Sequence, residues 1–340
     1  MNLVKRTLLY VLFVTAIMLI FGCSKTSREI FTGEHIYGIQ RETDGNYYIT
    51  SIKEGGKKIK LNGRTSFFMK DNNNNLWVPY ERAYDYSPSH KVDIVNQEKI
   101  IKTITVENRP IKVVEGKDVF FILCEVNGEK GKVIVVNNSN FDIIAKIDLE
   151  GNLTDAILDD TELYVTSDNL VENVGSYIYK VNLSNYEVNS VQIPNSRRIN
   201  SIQEHGEYIY VGVLAYSNRE QSNILKLRKA TLEIDKEIEV EFSPLEIEKF
   251  NSKLYILHFS YNTEPIWGGV LSIFDLNAET VRKIDLPVDA NHILVNNGRI
   301  YLSSSFSNEF TEFNLENETF KSINSANILK SNLIILNKEI

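Results

Sequence analysis

A short phrase recurs along this chain about every 45 residues: a small polar turn, then an aliphatic-aromatic-aliphatic run. It reads Asn75-Leu76-Trp77-Val78, Asp118-Val119-Phe120-Phe121-Ile122, Glu162-Leu163-Tyr164-Val165, Glu207-Tyr208-Ile209-Tyr210-Val211, Lys253-Leu254-Tyr255-Ile256 and Arg299-Ile300-Tyr301-Leu302. With Trp77, Phe120, Tyr164, Tyr210, Tyr255 and Tyr301 as register marks, successive copies lie 43, 44, 46, 45 and 46 residues apart. Runs so short, rich in β-branched and aromatic residues and bounded by Asn, Asp, Ser and Gly, form strands and tight turns. A period of this size built from short strands is the signature of a propeller blade.

The repeat resolves into four strands. In its clearest copy they are Thr154–Leu158, Glu162–Ser167, Tyr177–Leu183 and Tyr186–Ile193, with turns at Asp159-Asp160 and Ser184-Asn185. The phrase Phe274-Asp275-Leu276-Asn277-Ala278-Glu279-Thr280 returns almost unchanged as Phe313-Asn314-Leu315-Glu316-Asn317-Glu318-Thr319. The two ends carry incomplete copies: a hairpin of Tyr47–Ile52 and Lys58–Leu61 at the start, and Asn327–Leu329 with Leu333–Leu336 at the end. Joining them predicts an all-β, seven-bladed β-propeller of four-stranded antiparallel blades, the seventh closed by N- and C-terminal strands. Such closure removes the open sheet edges that a six-bladed ring with unpaired ends would leave. Ala230–Glu239 fits either a helix or a strand pair. Because each blade packs only on its neighbours, residues 35–340 form one domain despite exceeding the usual size of a single core.

Ahead of this domain, Lys5 and Arg6 precede an uncharged apolar stretch, Thr7 to Phe21, which has the pattern of a signal peptide and is short for a membrane span. It ends in Ile20-Phe21-Gly22-Cys23, followed by Ser24-Lys25. This resembles the lipobox of bacterial lipoproteins, although Ile20 and Phe21 stand where that family prefers Leu and a small residue. The resemblance implies cleavage of residues 1–22, a lipid anchor on Cys23, a linker over 23–34, and a domain held at the extracytoplasmic face of the cell membrane. An uncleaved anchor helix or a buried segment is the other reading of the stretch.

Removing Lys5 and Arg6 from the 37 basic residues leaves 35 against 45 acidic ones, a formal charge of −10. That surface disfavours nucleic acid, whose binding depends on lysine and arginine releasing counterions from phosphates. With Cys23 lipidated, Cys124 has no disulfide partner, and its place in the apolar run Val119–Val126 marks it as a small core residue.

The repeat pattern as a whole resembles the superfamily of seven-bladed propellers that includes the YncE-like and quinoprotein-like proteins. The Trp-Asp dipeptide of another propeller class is missing: Val78 follows Trp77 and Gly268 follows Trp267. That superfamily hosts many functions, so the resemblance implies no reaction.

Ligands of propellers commonly meet the central channel. Counting nine residues back from each register aromatic places Phe68, Ile111, Asp155, Ser201, Glu246 and His292 there, with Ser325 added from the C-terminal copy. Asp155, Glu246 and His292 carry oxygen and nitrogen donors able to hold a metal, or are hydrated polar residues of a water-filled channel. Asp71-Asn72-Asn73-Asn74-Asn75 begins like a calcium loop but has Leu76 and Arg82 where such a loop needs glycine and glutamate, so it reads as a polar hairpin turn. No catalytic motif, phosphate loop or dinucleotide fingerprint occurs, and no cofactor is expected. Tyr84, Tyr86, Tyr216, Tyr261 and Trp267 fall in the longer segments between second and third strands, where exposed aromatics suit recognition of a protein, peptide or glycan. The expectation is therefore a membrane-tethered binding module. The alternative is a metal-dependent propeller hydrolase, lactonase or lyase centred on the channel.

Overall fold

The computed structural model describes residues 37–323 apart from 43–44, 52–57, 66, 84–86, 97–98, 127–128, 169–174, 194–197, 215–222, 241, 260–266, 297 and 304–309. The chain is a seven-bladed β-propeller, and among the described residues there is no helix. The first blade comprises β1 (Tyr37–Arg41), β2 (Tyr47–Ser51) and β3 (Lys58–Lys60). The second comprises β4 (Met69–Lys70), β5 (Leu76–Pro79), β6 (Lys91–Asn96) and β7 (Lys99–Thr105). The third runs through β8 (Arg109–Glu115), β9 (Val119–Glu125), β10 (Lys130–Asn137) and β11 (Ile143–Glu150). The fourth follows with β12 (Asn152–Leu158), β13 (Glu162–Asp168), β14 (Ser176–Asn182) and β15 (Val188–Ile193). The fifth has β16 (Arg198–His205), β17 (Tyr208–Leu214), β18 (Asn223–Arg228) and β19 (Ile234–Glu239). The sixth has β20 (Ser243–Phe250), β21 (Lys253–Phe259), β22 (Trp267–Asp275) and β23 (Thr280–Asp285), and the seventh β24 (His292–Asn296), β25 (Arg299–Ser303), β26 (Phe310–Asn314) and β27 (Thr319–Ile323).

Two details differ from the sequence reading. The N-terminal segment supplies three strands rather than a hairpin, because Tyr37–Arg41 pairs antiparallel with Tyr47–Ser51. Ala230–Glu239 is a turn leading into β19 and not a helix. The Asn327–Leu336 segment expected to complete the ring lies outside the described residues, as do Thr7–Phe21 and Cys23. Among the described residues, no helix is long and apolar enough to cross a membrane.

The core is distributed between blades. Trp77, Val92 and Ile94 of the second blade pack with Val113, Phe120, Ile122 and Cys124 of the third. Leu76, Val78 and Val95, the intervening residues of the same second-blade strands, turn back to Ile39, Ile49 and Ile59 of the first. Successive side chains of a strand point to opposite faces, so a strand with a neighbour on each side must be apolar at every position. That is why β5 and β9 read as nearly unbroken hydrophobic runs. Cys124 lies in this packing, fully buried, and burial pushes its thiol pKa up to about 12.

The outer hairpins share one turn. Asn137, Asn182, Asp275 and Asn314 each accept, through the side-chain oxygen, the backbone N–H two residues on. The residue four positions after each takes a positive φ: 60° at Phe141, 59° at Tyr186, 52° at Glu279 and 56° at Glu318. Leu232 does the same at 59° in the fifth blade, although Arg228 stands at its head. An Asx cap of this kind stabilises the turn locally and offsets the left-handed conformation that these non-glycine residues adopt.

Candidate functional site: the channel wall

The inner strands share one register position that faces the axis. Lys112 lies opposite Leu123, Asp155 opposite Thr166, Ser201 opposite Gly212, Glu246 opposite Leu257 and His292 opposite Ser303. In the third to sixth blades a one-residue register shift immediately precedes this position, at Ile111, Thr154, Asn200 and Leu245. Such a bulge re-aims the strand beyond it. In the second blade the corresponding residue is Phe67, two before Met69, which faces Trp77. These six residues line one cavity of about 300 Å3.

The register corrects two of the residues that the nine-residue count placed on the axis. Phe121, not Phe120, is the counterpart of Tyr164, since they face Val114 and Ile157, each two residues beyond the axial position. The axial residue is therefore Lys112, while Ile111 is the bulge residue beside it. The Asp71–Asn75 turn is one residue longer than its counterparts, so the second blade contributes Phe67, and Phe68 is buried against the first blade. Asp155, Ser201, Glu246 and His292 are among the residues lining this cavity, and Ser325 is outside the described residues.

The axial side chains are joined to one another and to the next blade. Asp155 accepts the N–H of Ile202 at 3.1 Å and that of Ala156 at 2.8 Å, and pairs with Lys112. Ser201 Oγ lies 3.3 Å from Asp155 Oδ2 and accepts the N–H of Ile247 at 3.2 Å. Glu246 accepts the N–H of Ile293 at 2.9 Å, and its other oxygen lies 3.0 Å from His292 Nδ1. One rule runs through three blades: the axial side chain accepts the backbone N–H one residue beyond the next axial position. The inner strand is the edge of its sheet, so alternate N–H groups have no partner within the blade and the neighbouring blade satisfies them, as buried backbone donors require.

Asn200 and Gln203 extend the pattern. The Asn200 amide nitrogen donates to the Leu245 carbonyl, and Gln203 Nε2 donates to the Ile247 carbonyl at 2.8 Å. On the far side, Lys112 Nζ lies 5.7 Å from the centroid of the Phe67 ring. Glu246 and His292 are thus brought together, while Asp155 is engaged two blades away. Among the described residues, no group of three His, Cys, Asp or Glu side chains is arranged to hold a metal ion.

Of the expected recognition aromatics, Tyr84, Tyr86, Tyr216 and Tyr261 lie outside the described residues. Trp267 is the first residue of β22, paired with Phe259, rather than a loop residue. Tyr80, in the same connection as Tyr84 and Tyr86, is buried and accepts the Asn62 N–H through its hydroxyl at 3.1 Å. The Asp71 carboxylate is engaged within its own turn. It accepts from Asn73 N at 2.9 Å, Asn75 N at 2.7 Å, Asn75 Nδ2 at 2.9 Å and Trp77 Nε1 at 2.9 Å.

No protein-family model and no curated protein matches the chain. Solved structures do. A protein of unknown function from Desulfotomaculum acetoxidans aligns with a TM-score of 0.63 at 12% identity, over 89% of this chain and 99% of that one. Sqt1 from Saccharomyces cerevisiae gives 0.60 at 12% identity, over 85% and 81%. Apo AztD from Citrobacter koseri gives 0.53 at 9% identity, over 89% and 97%. At these identities the likeness is one of fold alone.

Proposed function

We propose that this chain is a lipid-anchored, extracytoplasmic binding module that recognises a protein, peptide or glycan through the segments carrying Tyr84, Tyr86, Tyr216, Tyr261 and Trp267. The observation that carries the preference over a channel-centred hydrolase or lyase is the use made of the axial oxygens. Asp155, Ser201 and Glu246 direct them at backbone N–H groups of the next blade. A carboxylate holding two blades together in this way is a structural acceptor, and diverting it to a metal or a substrate proton would leave a buried donor unpaired, at a cost of about 1–3 kcal/mol.

The test is capture of envelope proteins and glycans by the full chain in detergent, against a variant with Tyr86, Tyr261 and Trp267 all changed to Ala. Loss of a specific partner with unchanged melting temperature is expected; undiminished capture would refute the loop-face assignment. The anchor is tested separately. Metabolic labelling with an alkyne fatty acid should tag the wild type and not Cys23→Ala, and equal labelling of both would remove the lipid from the proposal.

A further inference from the structure

Arg109, Arg198, Arg228, Arg282 and Arg299 each pair with a carboxylate. Among the described residues Arg64 and Arg82 have no such partner, although acidic residues outnumber basic ones in the chain, and these two exposed side chains are neighbours. Arg64 N donates to the Arg82 carbonyl at 2.8 Å and Arg82 N to the Arg64 carbonyl at 3.4 Å. Residues that exchange both backbone hydrogen bonds across an antiparallel pair project their side chains from the same face. Gly63 permits the approach, since a Cβ there would lie 2.5 Å from the Arg82 carbonyl oxygen. On its other side Arg82 is bridged to Pro88. The backbone thus fixes two like charges directly opposite one another, an arrangement that costs stability when nothing offsets it.

Arg82 also lines a second cavity, of about 380 Å3, with Glu81, Pro88, His90, Asn108, Arg109 and Glu125. Glu81, Arg82, Pro88 and His90 belong to the connection between β5 and β6, which carries Tyr84 and Tyr86. We infer that this cavity and the arginine pair beside it take an acidic sugar unit, a hexuronate of a glycan. A guanidinium presents forked, planar donors that match a carboxylate. Arg64, Arg82 and Arg109 outnumber Glu81 and Glu125 here, and Glu125 is paired with Arg109, so the local field favours an anion although the chain as a whole is acidic. The His90 imidazole and the Asn108 amide have no hydrogen-bond partner among the described residues, and such groups suit hydroxyls, which both donate and accept. A carboxylate on a peptide would engage the arginines and leave both idle. The volume is that of a small-molecule site. The inference deepens the loop-face reading and rests on it for the face that meets the ligand.

Calorimetric titration of the full chain in detergent with tetragalacturonate and with its methyl ester compares two probes of one sugar skeleton, one charged and one neutral. Saturable binding of the acid, weaker as salt is raised, and no binding of the ester are expected. Arg64→Gln and Arg82→Gln should each weaken binding about tenfold without lowering the melting temperature, the loss of one charge-assisted hydrogen bond. Failure of the acid to bind the wild type, equal binding of acid and ester, or unchanged affinity in both variants would overturn the assignment. Equally tight binding of tetraglutamate would give the arginines to an acidic polypeptide, and equally tight binding of inorganic phosphate would give them to a phosphate group; either result overturns the sugar. The variant with Tyr86, Tyr261 and Trp267 changed to Ala keeps the two readings apart. Capture lost in that variant, with no tetragalacturonate bound by the wild type, refutes the sugar alone. Tetragalacturonate bound by the wild type, with capture undiminished in that variant, refutes the loop aromatics alone.

Discussion

The Asp155 carboxylate of the fourth blade accepts the backbone N–H of Ile202 in the fifth, 47 residues further along the chain, at 3.1 Å. The same carboxylate accepts from Ala156 and Ser201 and pairs with Lys112, so it joins three successive blades at the channel wall. Asp155→Ala should therefore lower unfolding free energy by about 3 kcal/mol, since buried donors lose a shared charged acceptor. Asp155→Asn, which retains an acceptor, should cost about 1 kcal/mol. Urea unfolding followed by far-UV circular dichroism measures both, and equal stability of the two variants would contradict the inter-blade role.

Asp71 organises the turn that seats Trp77, whose ring is fully buried and whose centroid lies 3.9 Å from that of Phe120. Asp71→Ala strands the indole N–H and three backbone or amide donors, so a loss of about 2–4 kcal/mol is expected. Only Trp77 and Trp267 contribute indole fluorescence. In a Trp267→Phe background, Asp71→Ala should shift the native emission of Trp77, and an unaltered spectrum with unaltered stability would count against this account.

His258 is fully enclosed, with Nδ1 2.8 Å from the Phe242 carbonyl and Nε2 2.7 Å from Ser272 Oγ. Burial lowers its pKa to about 4. The unfolded chain protonates this ring as the pH falls below about 6.5, while the folded chain resists until about pH 4, so the unfolded state binds the extra proton. Stability from this group is full above pH 6.5 and declines between those limits, by about 3 kcal/mol in total. His258→Phe should flatten the slope of unfolding free energy against pH in that window, whatever its effect on the baseline. An unchanged slope would show that His258 is not the titrating group.

Gly131, the second residue of β10, lies against Leu153 of the next blade. A Cβ there would lie 2.3 Å from Leu153 Cγ. Gly131→Val should destabilise by about 1–3 kcal/mol through overpacking. Adding Leu153→Ala should recover part of that loss, giving a favourable coupling in a double-mutant cycle.

Cys124 should be inert in the folded protein, being both buried and held as the thiol. Iodoacetamide at pH 8 should leave it unmodified in buffer and alkylate it in guanidinium, as read by intact mass. Modification at similar rates in both would show that the third blade opens locally.

The ring itself was legible because its cause is local: strands with a blade on each side are apolar on both faces, and four outer hairpins carry the same Asx-capped turn. Axial positions were legible to the same degree, and the errors have identifiable origins. The adjacent pair Phe120-Phe121 offers two register marks that hydropathy alone cannot separate, since each is buried against a different blade. The extra residue between Asp71 and Asn75 moved Phe67 onto the axis and Phe68 off it. Strand β1 was missed because of its short pattern, Tyr-Gly-Ile-Gln-Arg, which offers one deeply buried anchor, Ile39, and takes its stability from pairing with Tyr47–Ser51. Least legible was what the axial carboxylates do. A polar residue at a channel position looks the same in sequence whether it awaits a ligand or holds a neighbour's amide, and the neighbour lies almost one full repeat away.

The shared axial register also gives one set of residues two duties, lining the channel and fastening the blades. Phe67, Lys112, Asp155, Ser201, Glu246 and His292 occupy one level of the wall, one to a blade, while the apolar clusters lie in the gaps between blades. The wall of this channel therefore works like a clasped bracelet: each link that faces the opening also fastens the next one, so a new link alters both what the channel presents and how firmly two blades are held.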